Sequence, residues 1–115
     1  MADNGMVKGV EFTAREDSRE PQKMLVFASF GVPCPLTRLG IGCNTYTDIP
    51  KEVIVGWLWQ REGSLDWTAY HLTKETIGDL HCQRCGSLFT PTVDDLEELR
   101  EKTIGFMKTR YAIRI

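Results

Sequence analysis

The chain lacks most of the signatures that would assign it an activity. It contains no G-x-S-x-G elbow, no H-E-x-x-H, no phosphate-binding glycine loop and no G-x-G-x-x-G. The local patterns of nucleophilic hydrolysis, zinc peptidase, nucleotide and dinucleotide chemistry are therefore missing. Histidine is scarce, with two residues, and "HLTKE" and "LHCQRC" do not supply the H-x-E and P-C-x-x-C of a zinc deaminase. The N-terminal stretch "MADNGMVKGVEFTAREDSREPQ" has neither the apolar run nor the small-residue cleavage site of a secretory signal. Nowhere does an apolar run approach the length of a membrane span. Excess charge is missing as well. Fourteen Lys and Arg stand against sixteen Asp and Glu, a net charge of −2, which lacks the general electrostatic mark of a polyanion binder. These absences lead to an expectation of a soluble, intracellular protein, cytoplasmic or nuclear, that is not an enzyme.

What is present is ordinary in composition and unusual in its cysteines. The 115 residues fit one domain, and with 42% hydrophobic and 26% charged residues the chain has enough apolar material to fold. A domain of this size buries roughly 65% of its unfolded surface, so an additional staple would help it. Four cysteines in a reducing compartment favour a metal site over two disulfides.

Residues 1–22 are polar and weakly patterned, and read as a flexible arm with one short strand at "VEFTA"; residues 23–115 read as the folded domain. "KMLVFASFGV" at 23–32 predicts a buried strand. "PCPLTRLGIGCNTYTD" at 33–48 holds two prolines and two glycines beside Cys34 and Cys43, which marks an irregular loop with a reason to be ordered. In "KEVIVGWLWQREGSLDWTAYHLT" the β-branched run and the break at 61–64 predict a hairpin that sets Gln60 opposite Leu65, Leu58 opposite Trp67 and Trp57 opposite Thr68. One face would then carry Val53, Val55, Trp57, Trp59, Thr68 and Tyr70, and the other Ile54, Leu58, Leu65, Trp67 and Ala69. A helix over 48–63, with Pro50 in its first turn and Gly63 as its stop, competes with that reading.

"TIGDLHCQRCGSLFTP" predicts strand, turn, strand, with Cys82 and Cys85 in the turn. The last segment, from Thr92, predicts a helix. Thr92 and Asp95 offer a capping box, and Leu96, Leu99, Thr103, Phe106, Met107 and Tyr111 recur at helical spacing. Acidic residues lie in its first turns and Lys108, Arg110 and Arg114 near its end, matching the helix dipole. The fold class expected is α+β: a small antiparallel sheet with a zinc-stapled knuckle and a C-terminal helix.

The motif with chemical content is "HCQRCGSLF", residues 81–89. A C-x-x-C turn directs two thiolates toward one point, and a following glycine permits the positive φ that such turns use. On Cys82, Cys85, Gly86 and Phe89 the chain resembles the zinc-ribbon and zinc-knuckle families, over about ten residues. The resemblance implies a tetrahedral structural zinc. A ribbon would supply a second C-x-x-C, whereas Cys34 and Cys43 here are separated by eight residues. The expected ligand set is Cys34, Cys43, Cys82 and Cys85. Alternatives replace an upstream cysteine with His71 or His81, or leave Cys82 and Cys85 as a redox pair, although their strand-like flanks differ from the helix N-terminus that such pairs occupy.

Four thiolates close the metal's shell and leave no position for water, which argues for a structural role. The function expected is that of a small zinc-binding regulatory or adaptor protein, of the kind common among cellular and viral regulators, that binds a protein partner or a second copy of itself through Trp57 and Trp59. The alternative is a nucleic-acid-binding module in which Arg38, Arg84, Lys102, Lys108, Arg110 and Arg114 accompany stacking tryptophans. A thiol–disulfide protein using Cys82 and Cys85 is a second alternative.

Overall fold

The computed structural model describes residues 3–35 and 45–113. Arg38, Cys43 and Arg114 lie outside the described residues. The protein is α+β: an antiparallel sheet carries a C-terminal helix on one face, and two short two-stranded ribbons extend from it.

The main sheet has five strands: β1 (Asp3–Val7), β2 (Val10–Asp17), β3 (Glu20–Ser29), β6 (Val53–Arg61) and β7 (Ser64–Ala69), in that spatial order. Tight turns join β1 to β2, β2 to β3 and β6 to β7. The β1–β2 turn at Lys8-Gly9 and the β6–β7 turn at Glu62-Gly63 both place two residues at positive φ, 46° and 86° in the first and 38° and 84° in the second. This geometry matches the right-handed twist of the flanking strands, and glycine accepts it without a Cβ penalty. Between β2 and β3 the Arg19 N–H donates to Asp17 Oδ1 at 3.0 Å.

The expectation of a flexible arm over 1–22 is corrected here. Residues 3–17 are the first two strands, and Val10, Phe12 and Ala14 are buried in the same core as Val26, Leu58 and Leu99. The alternation at "VEFTA" marked β2; β1 gave no apolar signal, because its inward position opposite Phe12 is Gly5. A Cβ there would stand 2.5 Å from Cε1 of Phe106, so the missing side chain lets the helix approach the sheet backbone.

For residues 50–62 the strand reading holds. The β6–β7 register sets Gln60 opposite Leu65, Leu58 opposite Trp67 and Trp57 opposite Thr68, as the sequence predicted. The expected division into two faces does not survive, because β6 contains a bulge. Val26 of β3 pairs with Gly56 and Phe27 with Ile54, which leaves Val55 as the extra residue. The bulge resets the alternation. Val53 and Val55 join Leu58 and Trp67 on the core side, while Ile54 falls with Trp57 and Trp59 on the opposite face. Gly56 is obligatory at this point, since a Cβ would collide with the Trp67 ring and the Thr68 carbonyl.

The helix α2 (Val93–Tyr111) follows a shorter α1 (Lys74–Ile77), which occupies residues expected to begin a strand. Its start is the predicted capping box: Thr92 N–H donates to Asp95 Oδ2 at 2.7 Å, and Asp95 N–H donates to Thr92 Oγ1 at 3.2 Å. Leu99, Thr103, Phe106 and Met107 are buried against the sheet, and the Thr103 hydroxyl is satisfied by the Leu99 carbonyl at 2.7 Å. Phe106 stacks on Phe12 with centroids 4.8 Å apart, and Tyr111 meets it edge-on. Among the described residues no helix is long and apolar enough to cross a membrane.

Two ribbons complete the described structure. β4 (Gly31–Pro33) pairs with β5 (Tyr46–Asp48), and β8 (Leu80–His81) pairs with β9 (Leu88–Phe89). Each carries a cysteine-bearing segment directly beyond its paired residues.

Candidate metal centre

Cys34 leaves β4 with its backbone still in register: its N–H donates to the Thr45 carbonyl at 2.9 Å, and one step earlier Ile49 N–H donates to the Phe30 carbonyl at 3.1 Å. The 33–48 segment, expected to be irregular, is thus clamped at its two ends. The clamp fixes the direction of the Cys34 side chain, which is fully buried.

The second half of the centre is the β8–β9 turn. Cys82 N–H donates to the Ser87 carbonyl and Gly86 N–H donates to the Cys82 carbonyl, each at 2.9 Å. Gly86 takes φ +76°, the left-handed conformation anticipated for it. These bonds close a knuckle whose two thiols point to the same side. Cys82 is fully buried beside Cys34 and Phe89, while Cys85 is exposed.

The three sulfurs converge. Their Sγ atoms all lie within 4.8 Å of one another, and Cys34 Sγ stands 3.5 Å from Cys85 Sγ although 51 positions separate the two residues in sequence. Thiolates bound to one tetrahedral zinc at roughly 2.3 Å would be about 3.8 Å apart. The spacing fits a shared metal ion. Among the described residues the gathered ligand group is Cys34, Cys82 and Cys85; neither His71 nor His81 belongs to it.

Electrostatics agree with an anionic centre. The Cys85 thiol is pulled down to about 6, first by the Ser87 side-chain hydroxyl, which lies 3.2 Å from the sulfur, and next by the Ser87 backbone N–H, with smaller help from Cys82 and Cys34. Hydrogen bonds to the charged form lower a pKa, and thiolate is the form that binds metal.

The other sequence-predicted residues are spread over the surface. Trp57 and Trp59 lie half-buried on the sheet face opposite the helix, with Phe27 of β3 on the same side. Cations that the sequence reading had not singled out cover these rings. Lys23 Nζ stands 4.9 Å from the Trp57 ring centre and 5.5 Å from that of Trp59. The Arg61 guanidinium is 5.4 Å from Trp59, and that of Arg15 is 4.5 Å from Phe27. Tyr70 meets Trp57 edge-on. Carboxylates are close by: Arg15 pairs with Glu52, and Lys23 lies 4.0 Å from Asp17.

Among the described residues, the basic side chains named from the sequence do not gather beside these rings. Arg84 is in the knuckle turn, whereas Lys102, Lys108 and Arg110 belong to α2 on the other side of the sheet. Lys102 pairs with Glu98 at 3.3 Å, and Arg110 lies over the Tyr111 ring. Only the strand register could have placed Lys23 over Trp57 and Trp59, because Lys23 is 34 positions from Trp57 in sequence and directly opposite Trp59 in the sheet. No family model, curated protein or solved structure matches the chain.

Proposed function

We propose that the protein is a small zinc-binding regulatory or adaptor protein, with a structural metal and a protein partner that docks on the open face of the sheet. The observation that carries the metal half is the convergence of the Cys34, Cys82 and Cys85 sulfurs from two separate ribbons. An all-sulfur donor set suits zinc over the harder cations, which prefer oxygen. Cys43, two residues before Thr45 in sequence, is the fourth ligand in this reading. A closed thiolate shell holds the ribbons together and leaves no open position for catalysis.

The partner half is supported by the row of Phe27, Trp57 and Trp59 on the face that α2 leaves uncovered. Partly exposed tryptophans are strong anchors at interfaces, and the cations above them orient an approaching surface. Trp67 serves a different purpose, packing against the core. The double substitution W57A/W59A tests the assignment through capture of partners from cells expressing the protein. It is expected to abolish capture while shifting the melting temperature little. Equal capture by the wild type and the double variant would contradict the docking face. Salt-dependent retention of single-stranded oligonucleotide that is lost in the double variant would favour the nucleic-acid reading instead.

A further inference from the structure

We propose that the metal centre is also a peroxide-sensitive switch, in which Cys85 is oxidised first and Cys34 resolves it as a disulfide. The inference rests on the metal reading above for its consequence, and on the geometry of the thiols for its chemistry.

The three cysteines are unequal in access and in spacing. Cys85 is the exposed member, whereas Cys34 and Cys82 are fully buried. A small hydroperoxide therefore meets Cys85 first. Its sulfur lies 3.5 Å from that of Cys34. Disulfide formation requires an approach to about 2.05 Å, a movement of roughly 1.5 Å shared between an exposed turn and the end of β4. Cys82 shares the knuckle with Cys85, closed by the Gly86 N–H to Cys82 carbonyl bond, whereas Cys34 approaches the Cys85 sulfur from the other ribbon.

The chemistry balances with a hydroperoxide as the oxidant. The Cys85 thiolate attacks one peroxide oxygen, an S–O bond forms, the O–O bond breaks, and the departing oxygen takes a proton as water or alcohol. The Cys34 thiolate then attacks the Cys85 sulfenic sulfur. An S–S bond forms, the S–O bond breaks, and hydroxide leaves as water after taking a second proton. Two electrons pass from the two sulfurs to the peroxide. The centre loses two of its thiolate ligands in one event and releases its metal. The bond formed still links the same two ribbons, so the fold is retained with the centre emptied.

The test uses the full chain loaded with one zinc ion per molecule. After treatment with hydrogen peroxide and rapid alkylation, peptide mass mapping is expected to find a Cys34–Cys85 disulfide, and a chromogenic chelator is expected to report about one zinc released per disulfide formed. Dithiothreitol with added zinc should reverse both. In C34S the sulfenic acid on Cys85 should persist long enough for capture by dimedone. A Cys82–Cys85 disulfide as the main product, or oxidation that stops at Cys85 in the wild type, would overturn the proposal. The same mapping on chelator-treated wild type separates the two claims. A Cys34–Cys85 link in a chain that never bound zinc would sustain the thiol chemistry and remove the metal reading, whereas zinc retained through peroxide treatment would sustain the metal and remove the switch.

Discussion

The sheet with its helix and the pair of cysteine-bearing ribbons are built on different physics. In the first, Phe12, Val26, Leu58, Leu99, Phe106 and Met107 form a continuous apolar core between one sheet face and α2. Each fully buried large side chain contributes about 1.5–3 kcal/mol. In the second, ribbons of two and three residues per strand anchor to that core through Val32 and Leu80, and among the described residues their far ends enclose a separate small cluster of Cys34 and Cys82 with Phe89 packed against it. Two-stranded ribbons that short are not stable alone in water. The core is held by burial; in the metal reading proposed above, an ion on the gathered sulfurs holds the ribbon ends as well.

Removing the metal should therefore separate the two regions. Structural zinc contributes on the order of 10 kcal/mol apparent in small peptides at neutral pH, so chelation or C82S is expected to have the largest effect. Hydrogen exchange should show the amides of Cys34, Cys82 and Gly86 losing protection, while those of Phe12, Val26 and Leu58 retain most of theirs. Loss of protection throughout the chain would show that the core depends on the ribbons.

Attacking the core should produce the converse. F106A removes the ring that covers both Gly5 and Phe12, and large-to-small changes of this type cost about 3–5 kcal/mol. Chemical denaturation should report that loss, with the zinc content of the surviving folded fraction unchanged. G56A drives a methyl into Trp67 and the Thr68 carbonyl; overpacking of this order costs about 1–3 kcal/mol, with disturbed β6–β7 amide shifts as a second readout. T92A removes one partner of the helix cap and should cost about 1 kcal/mol.

The smallest effect on stability, and the sharpest on chemistry, concerns Cys85. Hydrogen bonding to Ser87 holds its folded-state pKa below the ordinary thiol value, at about 6. A depressed folded pKa stabilises the metal-free fold above the unfolded thiol's pKa, and that contribution is lost as pH falls through 6. Alkylation of Cys85 in metal-free protein should accordingly rise with a midpoint near pH 6, and S87A should move the midpoint upward. A midpoint at the ordinary thiol value in the wild type would contradict the hydrogen-bonded thiolate.

The two regions also differed in how far the sequence revealed them. Apolar periodicity marked β2, the β6–β7 hairpin and α2, because burial leaves a repeating pattern. Two features of the core left none. β1 contributes a bare glycine to the contact with Phe106, which reads as an absence. The bulge at Val55 exchanges faces halfway along β6, which no alternation rule applied to one strand could show, since its cause is the mate across the sheet. The turn that brings Cys82 and Cys85 together was legible from C-x-x-C-G because the two cysteines are near neighbours in sequence. The meeting of Cys34 with it was suggested by composition, and is a matter of where two ribbons end. Lys23 reaches Trp57 and Trp59 from β3 and was hidden for the same reason, whereas Arg61 lies two positions beyond Trp59 on β6 itself.

Native mass spectrometry of the full chain, with and without a strong chelator, tests the central claim that these thiols hold one structural metal ion. The account predicts a mass increment of one zinc per chain, lost on chelation together with a shift toward higher charge states as the ribbons loosen. A chain that carries no metal and whose charge-state distribution is unchanged by the chelator would contradict it.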